Sequence, residues 1–382
     1  MRNYDIVSVW GIPIRINVSL IVFLPVLAWL IGSGEQIALY TGFINGFPDI
    51  ALDVGVLRSG NTPWLIGAGA AVGLFASVAL HELGHAWAAR RYDIEVESIT
   101  LWLLGGLASL SEMPREWERE LWIALAGPAA SVLVAASCYA VVLVLPASTP
   151  AVTFVFGWLV ITNVVLTVFN LLPAFPMDGG RVLRALLARN QPYASATRTA
   201  ARIGTLFALA FAVLGVLSFS PLLLLLALFI YGAATGESRM VALDTLLAGV
   251  TAADAMTPTT EPVRTDTALS ELGSRMMDER RTDYPVVDDS GAVVGVVSLG
   301  DLRKSRREEG ASVGDVTRRD LPRVSVDAPM FDIVSELNAA RANAVLVEDR
   351  GEVVGTITRA DLAATLEVRR DAGALVAPRT AM

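Results

Sequence analysis

His81-Glu82-Leu83-Gly84-His85 has the spacing H-E-x-x-H. Residues four apart lie one above the other on a helix, so both imidazoles reach a single ion, and zinc suits them. Glu82 projects beside them, placed to take a proton from a water that zinc acidifies from about 15.7 to about 7. His81 and His85 are also the only 2 histidines of the chain. Both follow a run, residues 64–80, that otherwise reads as lipid-facing. Ionisable groups in hydrocarbon are costly and mark functional sites, so this spacing reads as a metal centre rather than as packing.

A catalytic zinc needs a third protein ligand and an open fourth position. Cys138 sits in an apolar run and reads as a small buried hydrophobe, which leaves a carboxylate as the ligand. Asp178, in FNLLPAFPMDGGRVLRALL (169–187), is the candidate. Pro173, Pro176 and two glycines break the helix around it, so the carboxylate can turn inward. Its competing role is to cap the helix opened by Arg181, Val182 and Leu183. Asn163, Thr167 and Asn170 follow at i, i+4 and i+7 and form one polar stripe. That stripe either faces the ion, holding substrate backbone or a developing oxyanion, or ties neighbouring helices together.

These residues need a membrane-embedded frame. The chain has 382 residues, 54% of them hydrophobic, against about 45–50% in a soluble domain. Mean hydropathy is +0.54. The apolar excess lies in residues 1–236, where six spans are expected at about 17–33, 64–90, 119–146, 151–172, 200–217 and 220–235. The last two are short and read as a hairpin turning at 217–220. No small-residue cleavage site follows the first run, so it reads as a span rather than a signal peptide. Arginines gather before span one, between spans two and three, and after spans four and six, whereas the loops between are nearly bare. Both termini are therefore expected in the cytoplasm, with the histidine end of span two on that side. Residues 5–19 and 93–110 are β-branched and broken by Gly or Pro, and read as hairpins beside the helices. Net charge is −8, and Lys304 is the only lysine. Such a surface gives no support to nucleic-acid binding.

The C-terminal part is duplicated. AVVGVVSLGDLRK (292–304) aligns with EVVGTITRADLAA (352–364) at an offset of 60, and ADAMTP (253–258) echoes GDVTRR (314–319) at 61. The expected domains are 1–240, a duplicated domain 250–368 (repeats 250–308 and 312–368), and a tail 369–382. Residues 250–368 resemble a tandem pair of cystathionine-β-synthase (CBS) domains. The resemblance implies a regulatory adenine nucleotide (AMP, ADP or ATP), a homodimer formed through this pair, and ribose and phosphate contacts at Ser298, Asp301, Thr358 and Asp361. A carboxylate can take two ribose hydroxyls, and a hydroxyl at a helix start suits phosphate. Simple helix capping is the other reading of the two aspartates. Asn343-Ala344 stands where the first repeat has Tyr284-Pro285, so the two half-sites are not expected to be equivalent.

The membrane half is similar to the site-2 protease family through H-E-x-G-H, a glycine-bearing strand, and Asn170-x-x-Pro173-x-x-Pro176-x-Asp178-Gly-Gly. The resemblance implies one zinc per chain on His81, His85 and Asp178, with Glu82 as general base. It implies that Gly105 and Gly106 pair with an unwound substrate strand, and that the substrate is the transmembrane helix of another membrane protein. The fold class expected is a polytopic α-helical membrane domain of about six transmembrane helices with short β segments, followed by a soluble α/β CBS pair. Two rivals are a CBS-regulated transporter or channel, which leaves H-E-x-x-H unexplained, and an inactive zinc scaffold, which has no use for Glu82. Residues 33–63 form an external segment whose role is not legible.

Overall fold

Trp10 and Gly11, at φ 53° and 83°, turn the chain back and pair β1 (Asn3–Val9) with β2 (Ile12–Asn17). Two successive positive-φ residues match the right-handed twist of a two-residue hairpin. Asn17 ends β2 and caps α1 (Val18–Gly32), its side chain accepting from Ser19 N at 3.0 Å. The computed structural model describes residues 3–33, 35–103, 105–110, 115–258, 262–279, 281–305, 311–340 and 342–376. These divide into a unit ending at Arg239 and a unit beginning at Met240.

In the first unit, α2 (Glu35–Ile44) and the short α3 (Val54–Leu57) lead into α4 (Thr62–Arg91), which carries the histidines. β3 (Val96–Trp102) and β4 (Gly105–Leu110) form a second hairpin, followed by α5 (Trp117–Val144), α6 (Pro150–Asn170), α7 (Asp178–Ala188), α8 (Tyr193–Leu217) and α9 (Pro221–Leu247). Helices α4, α5, α6, α8 and α9 are each long and apolar enough to cross a membrane. The 30 residues of α4 span about 45 Å, against a hydrocarbon core of about 30 Å. The span expected at 17–33 is not sufficient alone. α1 has 15 residues, about 22 Å, and bends by 69° into α2, so a sixth crossing exists only if this pair is one span. The last two spans are longer than their apolar windows, because the helices continue through polar residues at 193–199 and 236–247.

The two hairpins join as one sheet in the order β1-β2-β3-β4, with β2 and β3 parallel and Ile14 opposite Ile99. Ile12, Ile14, Val96, Ile99 and Leu101 pack on Phe75, Ala86 and Ala89 of α4. This packing sets the sheet against the helix that carries the two histidines. The segment 33–63 also packs inward: Ile37, Ile44 and Leu57 share a core with Phe154 and Trp158 of α6. Close helix contacts depend on glycine. A Cβ on Gly67 would stand 2.0 Å from Ala28 O, and one on Gly84 2.7 Å from Ala126 O.

The second unit begins within α9 and continues with α10 (Ala252–Ala255), β5 (Thr257–Pro258), β6 (Val263–Arg264), α11 (Leu269–Asp278), β7 (Asp283–Val287), β8 (Val293–Ser298) and α12 (Leu299–Ser305). It continues with α13 (Val313–Val316), β9 (Arg323–Ser325), α14 (Met330–Ala339), β10 (Ala344–Asp349), β11 (Glu352–Thr358) and α15 (Arg359–Val376). The duplication is visible in the capping boxes Thr251/Asp254 and Ser312/Asp315. The sheets are β5-β11-β10-β9 and β6-β7-β8, so the lead-in strand of the first repeat pairs within the second.

Candidate metal centre

One turn of α4 brings His81 and His85 together, their rings 4.9 Å apart and inclined at 79°. Both are buried, and Asp178 joins them: its Oδ2 lies 3.1 Å from His81 Nε2 and 3.2 Å from His85 Nε2. The two Nε2 atoms are 3.2 Å apart. Zinc bonds of about 2.0–2.2 Å at tetrahedral angles put ligand atoms roughly 3.3–3.5 Å apart, so this triangle is of the right size. Among the described residues this is the one cluster of three such donors.

The outer nitrogen of His85 fixes its tautomer. His85 Nδ1 lies 2.7 Å from the Ile123 carbonyl oxygen, which can only accept, so Nδ1 carries the proton and Nε2 keeps its lone pair. His81 Nδ1 meets Ser131 Oγ at 2.9 Å. A lone pair of His85, the ring nitrogen of His81 and a carboxylate oxygen thus converge on one point, a donor set that fits zinc. Ile123 and Ser131 lie on one face of α5 with Gly127 between them. A Cβ on Gly127 would stand 2.2 Å from His85 Nε2 and 2.7 Å from His81 Nε2. Sequence reasoning singled out none of these three, although small residues four apart are a legible sign of close approach.

Asp178 opens α7 at its first residue, while Met177 occupies the cap position and makes no side-chain cap bond. The carboxylate thus points at the histidines instead of capping its own helix. The following Gly-Gly is explained by space. A Cβ on Gly179 would lie 2.3 Å from Leu171 O and Leu172 O, and one on Gly180 2.7 Å from Phe175 N. Any side chain there would push α7, and Asp178 with it, away from the histidines.

A cavity of about 400 Å³ surrounds the triad, with Glu82, Gly105, Gly106, Asn170, Arg181 and Trp102 in its wall. Glu82 is half-buried and lies against β4, so closely that a Cβ on Gly106 would stand 2.4 Å from Glu82 Cγ. Gly105 has φ 137°, which favours glycine. Asn163 is not brought into this wall. It is fully buried, and its amide donates to Ser77 Oγ of α4 at 3.0 Å and to Leu159 O at 2.9 Å, the role of tying helices. Thr167 donates to the Asn163 carbonyl at 2.8 Å. The polar stripe therefore divides, and only Asn170 reaches the cavity.

In the second unit, the aspartates are held as caps. Asp301 Oδ2 accepts from Ser298 N and Oγ, and Asp361 Oδ2 from Thr358 N and Oγ1. The remaining oxygens differ. Asp301 Oδ1 is forked by Arg318, Nε at 3.0 Å and Nη2 at 2.7 Å, whereas Asp361 Oδ1 meets Thr257 Oγ1 at 3.4 Å. Thr257 and Arg318 are equivalent positions of the two repeats at the offset of 61. Burial alone would raise the Asp301 carboxyl, but the Arg318 and Ser298 bonds outweigh it and hold the carboxyl below the usual range. The repeated glycine has a steric cause: a Cβ on Gly295 would stand 2.2 Å from Arg318 O, and one on Gly355 3.0 Å from Thr257 O.

The chain matches the family model described as peptidase family M50 over residues 69–153 and 146–211, and that of the CBS domain over 252–308 and 313–367. It is 32% identical over 368 residues to a zinc metalloprotease of Methanocaldococcus jannaschii, covering 96% of this chain and 97% of that protein. It is 33% identical over 380 residues to the Rip3 protein of Mycobacterium tuberculosis, covering 94% and 92%. A solved site-2 protease from Methanocaldococcus jannaschii is 32% identical, with a TM-score of 0.42 over 62% of this chain and 96% of that one.

Proposed function

The chain belongs to peptidase family M50, as a multi-pass zinc metalloprotease carrying a CBS pair, and on that footing we propose that it hydrolyses peptide bonds in or near the transmembrane helices of other membrane proteins. The observation that carries this reading is the convergence of His81, His85 and Asp178 beside Glu82. His81 Nε2, His85 Nε2 and Asp178 Oδ2 would hold one zinc per chain. When bound, zinc acidifies a water and polarises the scissile carbonyl. Glu82 takes the proton of that water and later passes it to the leaving amine. The Asn170 amide, in the same wall, is available to donate to the carbonyl oxygen as charge builds there.

The substrate class follows from backbone chemistry. A transmembrane helix has its backbone bonds satisfied internally and must open before it is cut. β4 is an edge strand, and its first two residues, Gly105 and Gly106, leave peptide groups unshielded by side chains beside Glu82. An unwound substrate segment would add there as a further strand. The test is cleavage of a labelled transmembrane segment in liposomes by wild type and Glu82→Gln, with zinc measured in both. Zinc in both and cleavage by wild type alone is expected; cleavage by neither removes the proteolytic reading.

The arginine distribution further supports cytoplasmic termini and a cytoplasmic CBS unit, testable by labelling single cysteines introduced near residues 3 and 376. We read the CBS pair as a site for one adenine nucleotide and as the surface through which two chains pair. The inequality of Asp301 and Asp361 supports one nucleotide rather than two, because the Arg318 fork occupies the oxygen that a ribose would use. Calorimetric titration of the full chain with AMP, ADP and ATP tests this: one equivalent of heat is expected, and no heat with any of the three removes it.

A further inference from the structure

Six residues beyond Asp178, α7 carries a second buried ion. Arg184 is 2% exposed. Its Nε and Nη2 lie 2.7 and 2.5 Å from Glu120 Oε1 of α5, and its Nη1 lies 2.5 Å from Glu237 Oε1 of α9. The rings of Phe175 and Tyr193 stand 5.0 and 4.9 Å from the guanidinium carbon. A buried ion cluster is weak evidence of stabilisation, since well-packed apolar residues serve at least as well. What such a cluster does supply is geometry, and here the geometry leads to the metal centre.

Glu120, Ile123, Gly127 and Ser131 follow one another at spacings of 3, 4 and 4, one face of α5. Ser131 and the Ile123 carbonyl hold the two histidines, and Gly127 makes room for both rings. Glu120 continues that face and grips Arg184, whose helix starts with Asp178. Phe175, in the turn that delivers Asp178, lies against the same guanidinium. One face of one helix thus sets two ligands directly and the third through Arg184. Arg184 is not in the cavity wall, so any effect on the metal passes through α7.

We infer that Arg184 is a positioning residue for Asp178, anchored by Glu120 and braced by Glu237. The inference rests on the zinc assignment above. Arginine suits the task because one planar group meets two carboxylates and stacks on two rings, which an ammonium does not.

The test uses the full chain in detergent and measures zinc affinity by competition with a chromophoric chelator. Arg184→Lys keeps the charge and loses the fork; the triple variant Arg184→Met, Glu120→Leu, Glu237→Gln removes the ions without stranding one. In whichever folds, judged by the melting curve of the metal-free protein, zinc should bind about 10–100-fold more weakly. The visible bands of the cobalt-substituted variant should also move from those of wild type. Zinc affinity within twofold of wild type, with unmoved cobalt bands, overturns the role. Wild type that binds no zinc contradicts the zinc assignment itself, a result distinct from the first.

Discussion

His85 Nδ1 lies 2.7 Å from the Ile123 carbonyl oxygen, and this one bond decides which ring nitrogen is left for the metal. The bond exists because α5 passes close to α4, and the passage is close because residue 127 is glycine. A methyl group there would stand 2.2 Å from His85 Nε2. We predict that Gly127→Ala weakens zinc binding about 10–100-fold and lowers cleavage with it, and that Ser131→Ala has a smaller effect in the same direction. Metal analysis of the purified variants decides; full zinc occupancy in Gly127→Ala against the chelator that strips it would contradict the reading.

Gly106→Ala should separate metal from base. Its Cβ would stand 2.4 Å from Glu82 Cγ and 2.7 Å from Oε1, so the carboxylate must move while the zinc ligands stay. General-base effects amount to about 10²–10⁴ in rate, and we expect a loss near the lower end with zinc content unchanged. Loss of zinc in this variant would show that β4 supports the metal rather than Glu82.

Which of these relations the sequence revealed follows from how local each one is. His81, Glu82 and His85 were legible because one helical turn joins them. Asp178 was legible by elimination among residue types. Ser131, Ile123 and Gly127 were not, because helix-to-helix register leaves no mark in spacing along the chain. Arg184 entered only as one more charge for topology, since nothing local says that Glu120 lies 64 positions earlier and within 2.7 Å. The hairpins at 5–19 and 93–110 were legible by composition, but their union into one sheet through β2 and β3 was not. The segment 33–63 gave no signal because it packs through Ile37, Ile44 and Leu57, ordinary apolar residues without a motif.

The two CBS repeats should answer differently to the same substitution. Asp361→Asn is expected to lower nucleotide affinity at least tenfold, whereas Asp301→Asn leaves it nearly unchanged. Asp361 Oδ1 has only the 3.4 Å approach of Thr257 to give up among the described residues, while Asp301 Oδ1 holds Arg318. Calorimetry on both variants is the check; equal losses would make the half-sites equivalent.

Asp283 supplies a pH dependence. Burial, and then the nearby Asp361 and Asp301 carboxylates, raise its carboxyl above the usual value, against a bond from Thr282. A carboxyl raised in the folded state favours folding while protonated, so its contribution is lost as pH rises through the folded value. Asp283→Asn should therefore protect the β7 and β8 amides from hydrogen exchange better than wild type at neutral pH, with the difference vanishing below about pH 4. The opposite order at neutral pH would contradict it.

The central claim is that one zinc, held by His81, His85 and Asp178, makes this chain a protease. Its most direct test is a titration of cleavage against bound metal in a single preparation. Metal is stripped from the full chain by a chelator, zinc is returned in measured amounts, and cleavage of a transmembrane substrate in liposomes is followed. We predict no cleavage without metal and a linear rise that ends at one zinc per chain, with Asp178→Ala failing to recover at that ratio. Cleavage that survives complete removal of the metal would contradict the claim.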